Sequence, residues 1–191
     1  MTVPVELMLR ATWGARADSA DEIADRLVEM LDAFARAGGS LAEPLWSTTT
    51  PPVLVTGEPD TARAVVGAGY DTDAITGEVF HATGTSVGLV QHPLATGADR
   101  PPSIHLQLNA GNTRPTSTVP ANQIVATFRP GSAPEGGSTD EVLAVAERLL
   151  RDVVRIWRPD AASVDSLELL RAQKVRGVPL PKIGVLTWLS D

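Results

Sequence analysis

A short apolar run, LMLRATW, meets Gly14 and gives way almost at once to a doubly marked helix start, and this stretch (residues 6–31) constrains the fold more than any other part of the chain. Leu7, Met8, Leu9, Ala11 and Trp13 suit a strand entering the core, and Gly14 ends it. Ser19 is placed to accept a hydrogen bond from a free amide of the first helical turn. Glu22, three residues on, can reach back to the Ser19 amide, completing a capping box. Ile23, Leu27, Met30, Leu31 and Phe34 then recur at helical spacing, while Asp21, Asp25, Glu29, Asp32 and Arg36 lie mostly on the other sides. That pattern predicts a helix lying on a sheet, stopped by the backbone freedom of Gly38-Gly39.

The rest of the chain repeats the two signals in separate blocks. Leu45-Trp46 and Pro51-Pro52 form a proline-flanked loop leading into Val53-Leu54-Val55, and Pro59-Asp60-Thr61 opens a short helix reaching Val66. Gly67, Gly69 and the turn-rich YDTD break that pattern. Residues 85–91, 103–109 and 122–128 alternate apolar and polar side chains, as three strands of an antiparallel meander do. A second marked helix begins at Ser138, with Glu141 as the other half of its capping box. Its apolar face is Val142, Leu143, Ala146, Leu149, Leu150, Val153 and Trp157, and Arg158-Pro159 ends it. Val164 predicts a short strand, residues 167–172 one or two helical turns, and the proline-bounded IGVLTWL a last strand. Helices and strands that are segregated rather than alternating predict an α+β fold, two main helices on a mostly antiparallel β-sheet, in one domain over residues 1–191.

Charge distribution narrows the class of partner. Residues 1–99 hold 5 Arg against 14 Asp or Glu, a balance of −9, and the remainder holds 11 basic and 9 acidic residues, a balance of +2. An acidic surface disfavours phosphate backbones and suits a basic protein partner, besides keeping the protein soluble. No apolar run approaches the roughly 20 residues that span a bilayer, and MTVPVELMLR lacks a signal-peptide core, so the expected compartment is the cytoplasm. The chain has no cysteine, hence no disulfide framework and no thiolate chemistry.

Candidate chemistry is sparse. Gly84-Thr85-Ser86-Val87-Gly88 matches the nucleophile elbow of one hydrolase fold, which would make the chain a Ser86-dependent hydrolase. The mechanism needs a helix after the serine, and LVQHPL reads as strand. His81, His92 and His105 have no spacing that puts two ligands on one helical turn; His92, His105 and Asp99 would form a metal site only by converging in a sheet. Gly67-Ala68-Gly69 lacks the third glycine of a dinucleotide fingerprint. No catalytic residue, metal site or cofactor is therefore assigned. Asp71, Asp73 and Glu78, in a turn-rich segment, and Trp46, in a loop, are the candidate partner-binding residues. A regulatory binding module is the remaining alternative. Trp13, Trp157 and Trp188 lie in apolar periodic segments and are assigned to core packing.

Two blocks, LMLRATWGARADSADEIADRLVEMLDAF near the start and WRPDAASVDSLELL with PLPKIGVLTWLSD at the end, resemble in content and order the immunity protein 52 family of bacterial polymorphic toxin systems. The resemblance rests on Trp13, Gly14, Arg16, Trp157, Gly184, Thr187 and Trp188, residues with a structural role. It implies an α+β antitoxin that is not an enzyme, made in the cytoplasm, which binds and neutralises a cognate toxin, often a nuclease with a basic surface. It implies no cofactor, no direct nucleic-acid binding and no membrane. The chain departs from the family pattern in ending directly after the TWLS block, where relatives continue.

Overall fold

Leu7, Leu9, Ala11 and Trp13 are buried and the residues between them half-buried, so the first apolar run is a strand, β1 (Leu7–Trp13). A computed structural model describes residues 7–91, 104–114, 120–128, 139–166 and 186–190. The first helix, α1 (Ala20–Ala37), starts where its sequence marks it: Ser19 Oγ accepts from the Glu22 amide, and the Ser19 amide donates to the Glu22 carboxylate at 2.8 Å. It ends at Gly38, whose φ of +79° is open to glycine at little cost.

Two short strands follow, β2 (Leu45–Ser47) and β3 (Leu54–Val55), then a second helix, α2 (Pro59–Ala68), with proline in its first turn. The expected meander is present as β4 (Thr85–Val90), β5 (Ile104–Ala110) and β6 (Asn122–Phe128). The third helix is α3 (Thr139–Trp157), and β7 (Ala161–Ser166) and β8 (Leu186–Leu189) complete the described elements. At the end of α3, Arg158 adopts a positive φ and Pro159 cannot continue the helix.

The strands form one sheet in the order β3-β2-β4-β5-β6-β1-β7-β8, and every neighbouring pair is antiparallel. This is an α+β fold. Strand β1 lies inside the sheet, with Trp13 opposite Asn122 of β6 and Leu7 opposite both Phe128 and Ser166. Ile23, Leu27, Met30 and Phe34 of α1, Val65 and Val66 of α2, and Leu149, Val153 and Trp157 of α3 share one core with the inward residues of the strands. Each large side chain buried there contributes about 1.5–3 kcal/mol relative to exposure. The helices thus cover one face, and the opposite face of the central strands carries Ser86, His105, Gln107 and Gln123.

One expectation needs correction. Leu45-Trp46 is not loop: both residues belong to β2, whose partners across the sheet supply what a three-residue apolar stretch cannot signal alone. The short helix expected from Pro59 is present as α2, packed beside α1 in the same layer as the two main helices. Ser138, the stretch 167–172 and Gly184 lie outside the described residues.

Candidate partner-binding surface

One end of the sheet gathers the turns that matter. The start of β4 lies opposite the end of β5, the start of β6 opposite the end of β1, and the start of β7 beside that same end of β1. Polar bonds tie these turns together. The Gly14 amide donates to Asp160 Oδ2 at 2.8 Å, the Asn122 side chain donates to the Gly14 and Asn112 carbonyls, and the Arg16 amide donates to the Asn112 carbonyl at 3.0 Å. Thr113 in turn donates its amide to the Ala82 carbonyl at 3.2 Å.

Under these turns sits an aromatic and charged cluster. Trp13 stacks on Trp157 with ring centroids 5.6 Å apart, Arg16 lies over Trp13 at 5.0 Å, and Arg26 lies over Trp157 at 5.9 Å. Asp18, whose side chain is 5% exposed, accepts from Arg16 Nε and from Arg26 Nη1, each at 2.7 Å. Arg16 Nη1 also donates to the Trp157 carbonyl at 2.8 Å, one of the carbonyls that a helix leaves free at its C-terminus. Trp13, Gly14, Arg16 and Trp157 therefore hold the sheet end together. Thr187 lies opposite Ser163 and Trp188 opposite Ala162, with the Trp188 ring packed against the core.

Braced on this frame, residues 70–83 form a projecting hairpin. Its base is pinned: Tyr70 bridges to Thr85, the Ser86 amide donates to the Gly69 carbonyl at 2.9 Å, and Thr85 Oγ1 donates to the Val66 carbonyl at 2.7 Å. Gly69 has no room for a side chain, since a Cβ would sit 2.5 Å from the Ser86 carbonyl oxygen. Tyr70 packs edge-on against His81, and burial first, with the Asp18 charge second, pushes its phenol pKa up.

The tip is built by Asp73. Its Oδ1 accepts from the amides of Ile75 (2.8 Å) and Thr76 (2.7 Å), its carbonyl accepts from Gly77, and its own amide donates to the Glu78 carbonyl at 2.8 Å. Those bonds, Thr76 first and Ile75 second, hold its carboxyl below the usual range. Thr72 bridges to Val79, and the Phe80 amide donates to the Asp71 carbonyl at 2.9 Å. Ile75 stands at the tip, 94% exposed. Five large apolar side chains are exposed among the described residues, namely Val53, Ile75, Val79, Phe80 and Leu189, and the middle three belong to this hairpin. The exposed Asp71 and Glu78 carboxylates have no partner among the described residues.

The four candidate residues do not form one patch. Asp71 and Glu78 flank the apolar tip. Asp73 spends its carboxylate on the turn. Trp46, half-buried, lies opposite Val90 at the other end of β4, five residues from the Thr85 that bridges Tyr70, or roughly 17 Å at about 3.3 Å per residue. Ile75, Val79 and Phe80 have no signature in the sequence, because single apolar residues in a turn-rich segment carry no period. The available signal was Asp73 followed by Gly77, the pattern of an aspartate closing its own turn.

Ser86 lies within β4 and not on an elbow, and its Oγ takes a 3.0 Å hydrogen bond from the Gln107 amide group. His105 lies opposite Val90, four residues along the same strand. His92 and Asp99 are outside the described residues. Among the described residues no group of three His, Asp or Glu is arranged to hold a metal, and no helix is long and apolar enough to cross a membrane.

No family model matches the chain, and no curated protein does. Among solved structures it is similar to the Pseudomonas aeruginosa T6SS protein PA0821, with a TM-score of 0.48 and 12% sequence identity over 85% of this chain. The chain spans 40% of that protein's length.

Proposed function

We propose that this protein is an immunity protein of a bacterial polymorphic toxin system, which neutralises its cognate toxin by stoichiometric binding in the cytoplasm, without catalysis. The observation that carries this reading is the hairpin at residues 71–80, where exposed apolar side chains stand between Asp71 and Glu78, carboxylates without a partner among the described residues, on a rigid support. Proteins bind one another through such a combination of an apolar centre and a polar rim. The resemblance of the N- and C-terminal blocks to the immunity protein 52 family supports the same reading.

The balance of −9 in residues 1–99 suits a toxin that is a nuclease. A nuclease grips phosphates with positive charge, so an acidic inhibitor gains on-rate and discrimination by matching that surface. The test is co-expression with the toxin encoded beside the gene. Survival of the host and a co-eluting complex on size exclusion are expected; cell death at the rate seen without this protein, with no complex, overturns the reading.

A further inference from the structure

Resting on that reading, we propose that the hairpin at residues 71–80 is the element that enters the toxin, with Ile75 as a single apolar anchor for a pocket rimmed by basic side chains. Three observations converge on it. Ile75 is 94% exposed although its backbone amide is fixed by Asp73, so the side chain is presented from a rigid turn. A preorganised anchor loses little conformational freedom on docking. Val79 and Phe80, each 39% exposed, extend the apolar surface down one arm of the hairpin. The charged residues of the hairpin itself are all acidic: Asp71 and Glu78 are unpaired among the described residues, and the third, Asp73, already accepts two amides.

The hairpin therefore divides its labour. Ile75 supplies contact and sets dissociation. Asp71 and Glu78 steer encounter with a positive rim and set association. Asp73 is a positioning residue, whose work is finished before the partner arrives.

The experiment measures association and dissociation of the full chain with a catalytically inactivated form of the toxin encoded beside its gene, at low and at physiological salt. Ile75→Ser is expected to speed dissociation about tenfold or more with association nearly unchanged. Asp71→Lys with Glu78→Lys is expected to slow association about tenfold at low salt and to flatten its salt dependence. Asp73→Ala is expected to weaken binding, and Asp73→Asn, which keeps an acceptor oxygen, to restore it. Ile75 touches no core residue, so an unchanged thermal transition in Ile75→Ser is the control for folding. A wild-type complex that Ile75→Ser leaves intact overturns the hairpin assignment alone; absence of any complex with wild type overturns the functional reading as well.

Discussion

Trp13 at the end of β1 and Trp157 at the end of α3 stack with their ring centroids 5.6 Å apart and their planes 29° from parallel, joining the first strand to the last long helix. Neither indole N–H has a hydrogen-bond partner among the described residues, so the pair acts through area and ring contact. Trp157→Ala should cost about 3–5 kcal/mol, as deletion of a large buried aromatic does. Trp157→Phe should cost less, because it keeps a ring and gives up an N–H that has no partner among the described residues. Urea unfolding of the two variants checks this; equal losses would mean that the N–H has an acceptor.

Asp18 holds two arginines with one carboxylate. Asp18→Ala should destabilise by about 1–3 kcal/mol, since it leaves both guanidinium groups over tryptophan rings without their counter-charge. The half-exposed arginines regain water, which keeps the loss at the low end. Chemical denaturation at two ionic strengths measures it.

Two glycines predict opposite signs. Gly84 has a φ of +75°, and a Cβ there would lie 2.4 Å from the Ala110 carbonyl oxygen, so Gly84→Ala should destabilise by more than about 2 kcal/mol. Gly67 sits in α2 with open space around it, so Gly67→Ala should stabilise by about 0.5–1 kcal/mol. The two thermal midpoints should move apart.

Acid should loosen the hairpin tip and the start of α1. The Asp73 carboxyl is held below its ordinary 3.8 by the Thr76 and Ile75 amides, and that of Glu22 below its ordinary 4.5 by the Ser19 amide and hydroxyl. A carboxyl whose pKa is lower folded than unfolded stabilises the fold above its unfolded value, and that gain is lost as pH falls through the folded value. Amide exchange of Ile75 and Thr76 should therefore stay slow down to about pH 4 and quicken below it, once the intrinsic pH dependence of exchange is removed. In Asp73→Asn the quickening should vanish.

Ser86 offers the sharpest test of hydrolase chemistry. Its hydroxyl meets the Gln107 amide group, which cannot take a proton, so no labelling by a fluorophosphonate is expected. Stoichiometric labelling that Ser86→Ala abolishes would reverse that conclusion.

What the sequence declares is local. The Ser19 and Glu22 box, the alternation in β4, β5 and β6, and the apolar stripe of α3 each declare themselves within a few residues, because capping and periodicity are short-range properties. Trp46 could not be placed, because β2 is three residues long and exists through Val90 and Leu54 on its neighbours. In the sequence Asp73 is a loop carboxylate like Asp71 and Glu78; only its bonds to Ile75 and Thr76 separate a structural acid from two that have no partner among the described residues. The joining of Trp13 to Trp157 was equally out of reach, since each reads as an ordinary core residue in its own segment.

Strand β1 is made first yet pairs only with β6 and β7, so Trp13 must wait for Asn122, and Leu7 for Ser166, to leave the ribosome. At about 5–20 residues per second these intervals are on the order of 5 to 30 seconds. Until then the nascent chain carries an apolar ribbon with both hydrogen-bonding edges bare. Under the proposed function this sets a latency: each new molecule would become protective at closure of the sheet and not at the start of translation, so resistance would depend on a standing stock of finished protein.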